Sequence, residues 1–208
     1  MIEFTTQTIR LLRDTMDAYL IQDPFYVKSL KPCNARDDAP MMAKQMAEIT
    51  RQAGVGPMAA VAGAFALYIA QALKKQFDIA EIMVENGGDI YADIKDDIDV
   101  MVFAGESPLS EKIGLHIEAK ESPLGICTSS GTVGPSLSFG KADAVMIVCK
   151  DVLLADSYAT ALANLIQTSD DIQQTLNRIA SQKDILSALL VKDDQMGVIG
   201  MFGLKLFE

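Results

Sequence analysis

Two adjacent glycines, flanked by polar side chains, follow an apolar run in the first half of the chain. The residues are Asn86, Gly87, Gly88 and Asp89, and the preceding run spans residues 80–84. Because glycine has no Cβ atom, a ligand can approach the backbone closely there, and Asn86 and Asp89 add an amide and a carboxylate. The same Asn-Gly pair is also typical of a tight β-hairpin turn. The residues alone therefore leave open both a ligand contact and a plain hairpin.

A second polar segment, residues 127–134, follows the short apolar run 124–126. Serine and threonine hydroxyls, together with successive backbone N–H groups, suit the oxygens of a phosphate. A polar loop built from Ser/Thr turns has the same composition. Cys127 has no basic neighbour that would activate it, so we expect an inert buried thiol. The candidate ligand contacts in this segment are Thr128, Ser129, Ser130 and Gly131.

The third candidate is a pair of residues that could hold a metal ion. Asp156 and Thr160 lie four positions apart, so a helix places both side chains on one face. A carboxylate and a hydroxyl, completed by a carbonyl oxygen and waters, suit Mg²⁺. The alternative is purely structural, with Asp156 at the cap or in the first turn of its helix and Thr160 bonded to a carbonyl of the preceding turn.

Composition excludes several other functions. The chain has 208 residues and a formal net charge of −10, so its average field disfavours nucleic acid as a partner. It has one histidine, His116, which excludes a multi-histidine metal site. We expect His116 to face solvent from the polar side of a strand. The acidic cluster Asp93, Asp96, Asp97 and Asp99 is expected to form a solvated turn.

The three cysteines show no CxxC pair, which favours free thiols in a reducing cytoplasm. The first residues carry no signal-like segment. The uncharged run 52–73 is rich in alanine and glycine and contains glutamine, which favours a buried helix over a membrane span. We therefore expect a cytoplasmic protein without a membrane partner.

Three helices are predicted before residue 76. The first begins at a cap on Thr5 or Thr6 and ends at Asp23-Pro24, the second runs from about residue 40 to Gly54, and the third opens at Pro57. Strands are predicted at residues 80–85, 98–104, 113–118 and 142–149, followed by helices near 152–166 and 171–182 and two or three short strands from 185 to 206. This order indicates an α+β fold with a mixed or antiparallel sheet and a helical N-terminal third, in a single domain spanning residues 1–208.

The three candidate segments occur together and in order, and that combination resembles the ApbE-like superfamily. Its best-known members are flavin transferases, which use Mg²⁺ and FAD to attach FMN to a threonine of a target protein. In them a small-residue helix precedes a Gly-Gly-Asp/Asn turn, a Thr-Ser-Gly loop and a helix with the motif Ala-Asp-x-x-Ala-Thr-Ala. The counterparts here are residues 56–65, 86–89, 129–131 and 155–162. The segments 54–63, 84–90 and 136–144 resemble still more closely an uncharacterised bacterial and archaeal branch of that superfamily.

The resemblance implies roles for the candidate residues. Asp156 and Thr160 would be the metal ligands. A flavin nucleotide, FAD or FMN, would be the small-molecule ligand. The residues that would line its pocket are Asn86, Gly87, Gly88, Asp89, Thr128, Ser129, Ser130 and Gly131.

Two features differ from the transferases. Ala62 stands where they carry a lysine, and residues 132–151 lack their His-x-x-Asp-Pro segment. We therefore expect flavin and Mg²⁺ binding, with FMN transfer in doubt. The sequence leaves open a non-catalytic interaction protein on the same scaffold and an enzyme that acts on another small ligand. It also leaves open whether the chain forms a homo-oligomer.

Overall fold

The N-terminal third is helical in the computed structural model, which describes residues 1–134 and 138–208. The helices are α1 (Ile2–Gln22), α2 (Pro24–Lys28), α3 (Met41–Ala53) and α4 (Val61–Gln76), with a 3-10 turn at Pro57–Ala60 before α4. Helix α3 ends at Gly54, whose φ of 73° is the left-handed conformation that glycine adopts without strain.

The predicted start of α1 is wrong by one turn. The helix begins at Ile2, and the hydroxyls of Thr5 and Thr6 donate to the carbonyls of Met1 and Ile2 instead of capping the helix. Threonine can satisfy its hydroxyl inside a helix in this way, so a threonine near a helix start need not be its cap. The predicted end at Asp23 is confirmed, and Asp23 caps α2 by accepting from the N–H of Tyr26.

Two antiparallel sheets form the middle and the C-terminal part of the chain. Their strands are β1 Ile82–Asn86, β2 Asp89–Asp93, β3 Ile98–Met101, β4 Ile113–Ile117, β5 Leu124–Ser129, β6 Ala144–Cys149, β7 Ile185–Lys192, β8 Gln195–Gly200 and β9 Gly203–Leu206. One sheet has six strands in the order β1-β2-β5-β6-β7-β8, and the other has three in the order β3-β4-β9. The predicted α+β class is confirmed. The strands β2 and β5 were not predicted as strands.

The six-stranded sheet lies between two apolar cores. On one face Cys127, Val145 and Ile147 pack with the helices, which include α5 (Val152–Ala163). On the other face Ile126 and Met146 pack with the three-stranded sheet. Every residue of β6 is buried because both faces of that strand are covered, and this explains its uninterrupted apolar sequence. The last helix, α6 (Asp171–Ile179), packs against β7 and β8.

The stretch Pro57–Gln76 is long and apolar enough to cross a membrane by length and composition alone. In this structure α4 packs against β1, β2 and α5. Gly63, Ala64, Ala66 and Ala70 are among its buried residues, so its small-residue face allows close packing.

Candidate functional site

A cavity of about 940 Å³ opens where four parts of the fold meet. These parts are the β1–β2 hairpin, the end of β5 with the loop that follows it, the start of α4 and the middle of α5. The antiparallel pairing of β2 with β5 places Asp89 opposite Cys127, and α5 packs on β5. Segments far apart in sequence therefore converge on one space.

The two glycines form a tight hairpin turn and also line this cavity. Gly87 and Gly88 have φ values of 66° and 101°, conformations that favour glycine, and they join Asn86 at the end of β1 to Asp89 at the start of β2. Gly87, Gly88 and Asp89 face the cavity. Asn86 does not line it, because its Nδ2 donates to the carbonyl of Ala62, 3.2 Å away. The hairpin and the ligand-contact interpretations are thus compatible.

Two carboxyl groups are buried beside the cavity. Asp89 and Asp156 are only 8% and 7% exposed. The backbone N–H of Gly63 donates to Oδ2 of Asp156 at 2.9 Å. A side chain at Gly63 would bring its Cβ within 2.9 Å of the Val152 carbonyl oxygen and 3.2 Å of the Asp156 Cβ. Glycine at this position therefore lets α4 approach α5 and fix the Asp156 carboxylate.

Burial makes the charged forms of these groups costly. It raises the pKa of Asp89 to about 7, although bonds from Cys127 and the Thr128 backbone favour the carboxylate. Burial and the neighbouring charge of Asp89 raise the pKa of Asp156 well above its usual value, and the N–H groups of Gly63 and Ala62 offset this only in part. Within residues 1–134 and 138–208, no basic side chain stabilises either carboxylate. The floor of the cavity is therefore suited to a cation.

The donor set fits Mg²⁺. Asp156 and Thr160 are one turn apart on α5, both line the cavity, and they offer a carboxylate and a hydroxyl, which are hard oxygen ligands. Asp151, not Asp156, caps the helix, by accepting from the N–H groups of Leu153 and Leu154. No cluster of three or more His, Cys, Asp or Glu ligands occurs in the described part of the chain. Waters or ligand oxygens would have to complete the coordination shell, as they commonly do for Mg²⁺.

The end of β5 and the loop after it contribute hydroxyl-bearing residues to the cavity, and the loop is internally bonded. Thr128, Ser129 and Ser130 line the cavity, and Oγ of Ser130 accepts from the backbone N–H groups of Thr132 and Val133 at 3.0 and 2.9 Å. Gly131 lies outside the cavity lining. Its N–H donates to the Ala142 carbonyl, and an added Cβ would collide with the Gly140 backbone. Residues 135–137, which include part of the segment 136–144, lie outside the described residues.

A buried carboxylate anchors that loop to the far edge of the sheet. Asp143 is 7% exposed and accepts from the hydroxyl of Thr132 at 2.9 Å and from the N–H of Asp193 at 2.6 Å. The ammonium group of Lys192 lies 3.4 Å from the same carboxylate. The loop that carries the hydroxyls is therefore tied to the β7–β8 turn.

Two other candidates lie outside the cavity lining. His116 is exposed, as predicted, and pairs with Asp99 at 2.7 Å, while Lys205 pairs with Asp99 from β9. Cys127 is fully buried, as predicted. Burial and the carboxylates of Asp89 and Asp156 raise the pKa of its thiol, so it is a poor nucleophile.

Several residues of the cavity wall were not predicted from the sequence. Some come from the end of α2 and the loop after it, and some from the edge of the three-stranded sheet. The others come from the segment before β6 and from the C-terminal end of α5. No local pattern marked them, because their position depends on the packing of distant segments. They are Val27, Ser29, Leu30, Lys31, Val100, Met101, Phe103, Phe139 and Asn164.

Comparison with known proteins places this architecture in a family. The sequence profile of the family described as AbpE bacteria matches residues 1–195. UPF0280 proteins are relatives over most of the chain, and one from Methanospirillum hungatei is 42% identical over 188 residues, covering 90% of this chain and 75% of its own. This chain belongs to the UPF0280 family. The family forms a branch of the ApbE-like superfamily, which confirms the resemblance seen in the sequence.

Further relatives agree with this assignment. The UPF0280 protein of Methanocella arvoryzae is 37% identical over 193 residues, covering 93% of this chain and 78% of its own. Among solved structures, the apo form of the flavinyl transferase ApbE from Pseudomonas stutzeri superimposes with a TM-score of 0.50 at 15% identity, covering 88% of this chain and 76% of that one. At that identity the similarity establishes a shared fold.

Proposed function

We propose that this UPF0280 protein binds a flavin nucleotide, FAD or FMN, together with Mg²⁺ in the cavity beside α5, in the cytoplasm. The observation that carries the proposal is the convergence of Asp89 and Asp156, two buried carboxylates without a basic partner among the described residues, with a glycine turn and a hydroxyl-bearing loop. A divalent cation offsets the charge that these carboxylates share. Coordination positions of the ion that the protein does not fill would be available to the phosphate oxygens of a nucleotide.

Each segment has a distinct role in this proposal. Asp156 and Thr160 hold the metal ion, and Gly63 orients the Asp156 carboxylate through its N–H. Gly87 and Gly88 allow the ligand to touch the hairpin backbone. The hydroxyls contributed by Thr128, Ser129 and Ser130 bind phosphate oxygens or ring polar groups. Mg²⁺ bound there would neutralise the negative charge of the phosphate groups.

Neither the histidine nor Cys127 is suited to group transfer at this cavity. A transfer reaction requires a group that accepts a proton from the attacking hydroxyl. The single histidine of the chain pairs with Asp99 on the three-stranded sheet, and the Cys127 thiol is held protonated by burial and nearby carboxylates. Ala62 carries no functional group. A role as a flavin-binding interaction protein on the ApbE-like scaffold is therefore the second candidate function.

Calorimetric and thermal-shift titrations with FAD, FMN and ADP test the proposal, each with Mg²⁺ and with EDTA. We expect Mg²⁺-dependent binding, and a ligand at a hundred times its Kd stabilises the fold by about 2.7 kcal/mol. Asp156→Asn should abolish the Mg²⁺ dependence, whereas Asp14→Asn, at an exposed position on α1, should retain it. A folded protein that binds none of these ligands with Mg²⁺ contradicts the proposal.

A further inference from the structure

Most of the charged side chains that line the cavity are acidic. Three are acidic, namely Glu85, Asp89 and Asp156. Among the lining residues that the structure describes, Lys31 is the only basic one. In a chain of net charge −10, one ammonium group at this cavity is a local exception to the overall field.

The backbone of the Lys31 segment is fixed against the cavity wall. Gly56, which also lines the cavity, packs directly on the backbone of Ser29 and Leu30, so closely that a Cβ there would collide with the Ser29 carbonyl. Within the same turn, the hydroxyl of Ser29 donates to the carbonyl of Lys31 at 2.7 Å. Lys31 is therefore held at the cavity by contacts of its main chain, and its side chain remains exposed.

The ammonium group of Lys31 is available to a ligand. In the part of the chain that the structure describes, the ion pairs of lysine involve Lys74, Lys120, Lys150, Lys192 and Lys205. Lys31 is absent from these pairs, so binding an anion would not require it to release a carboxylate. A lysine ammonium is a flexible point charge with three donors, which suits a phosphate oxygen.

We propose that Lys31 binds a phosphate group of the ligand and makes the cavity selective for phosphorylated over unphosphorylated flavins. This inference rests on the proposed function. The cavity then has two complementary regions, with the buried carboxylates taking a cation and Lys31 taking an anion. Lys31 lies in the loop after α2 and provides a positive charge. Ala62, on α4, cannot provide one.

The test compares FMN with riboflavin, which differ only in the phosphate group. Titrations with Mg²⁺ use wild type, Lys31→Met, Lys31→Glu and Lys31→Arg. Lys28→Met is the matched control, because Lys28 is exposed on the neighbouring turn and does not line the cavity. Since Lys31 is exposed, all variants should keep the wild-type melting temperature.

We expect Lys31→Met to weaken FMN binding roughly fivefold, the effect of an exposed charge pair, and to change riboflavin binding by less than about twofold. Lys31→Glu should weaken FMN binding further, Lys31→Arg should restore it, and Lys28→Met should leave it unchanged. The effect of Lys31→Met should shrink at high salt, because salt screens exposed charges.

Three results overturn the assignment. If wild type binds FMN and Lys31→Met binds it equally well, Lys31 does not contact the phosphate. The same conclusion follows if Lys31→Met weakens the binding of FMN and the binding of riboflavin by the same factor. If wild type binds neither FMN nor riboflavin, the role of Lys31 fails, and the proposed function fails as well if FAD and ADP also do not bind. The behaviour of wild type thus separates the two failures.

Discussion

Gly125→Ala should displace the helix that carries the candidate metal ligands. Gly125 lies in β5 under the start of α5, and an added Cβ would lie 2.8 Å from both the backbone nitrogen and the Cβ of Val152, and closer still to its Cα. Ordinary contacts begin near 3.4 Å and the Val152 Cα would be only 2.2 Å away, so the backbone there must move by about 1.2 Å. The atoms in the way are mainly backbone, so a change of rotamer cannot relieve the clash.

Overpacking of a dense core costs about 1–3 kcal/mol, and a backbone clash belongs at the upper end of that range. For a chain of this size, about 3 kcal/mol lowers the melting temperature by about 6–12 °C. The displaced helix carries Asp156 and Thr160, so the Mg²⁺-dependent stabilisation by ligand should fall as well.

Urea denaturation followed by circular dichroism measures the stability change, and Gly203→Ala is the control. Gly203 is also a strand glycine, but nothing lies within 4 Å of the position its Cβ would take. We expect Gly203→Ala to stay within about 0.5 kcal/mol of wild type. A free energy of unfolding for Gly125→Ala equal to that of the control would refute the packing argument.

Two further predictions concern Asp143 and His116. Asp143→Ala should cost about 2–4 kcal/mol in urea denaturation, because it leaves the Asp193 N–H and the Thr132 hydroxyl without their buried acceptor; a loss below 0.5 kcal/mol would mean that the anchor is not needed. Asp99 raises the pKa of His116, so its contribution to stability should be complete below the unfolded value of about 6.5 and disappear as the pH rises through the folded value. Wild type should therefore exceed His116→Gln in stability by more at pH 5 than at pH 9, and a pH-independent difference would contradict this pairing.

Local signals in the sequence predicted much of the fold. Asp23-Pro24 and Gly54 ended helices as expected, since proline and left-handed glycine act on the backbone of their own neighbourhood. The strand predicted at residues 142–149 is observed at Ala144–Cys149, where the sequence is apolar throughout, and its two-sided burial explains that composition. The strands β2 and β5 were missed. They begin or end in polar residues, and their stability comes from pairing with each other and with their outer neighbours β1 and β6.

The sequence by itself determined the residue types available for chemistry and their order along the chain. It contained the glycine turn, the hydroxyl-bearing loop and the carboxylate four positions before a threonine, and these local patterns indicated the family. Only the tertiary structure decided that Asp89, Cys127 and Asp156 lie together and that Lys31 belongs to the same cavity. The physical reason is that strand register and helix docking are fixed by burial between distant segments, and burial also determines how costly each carboxylate is to ionise.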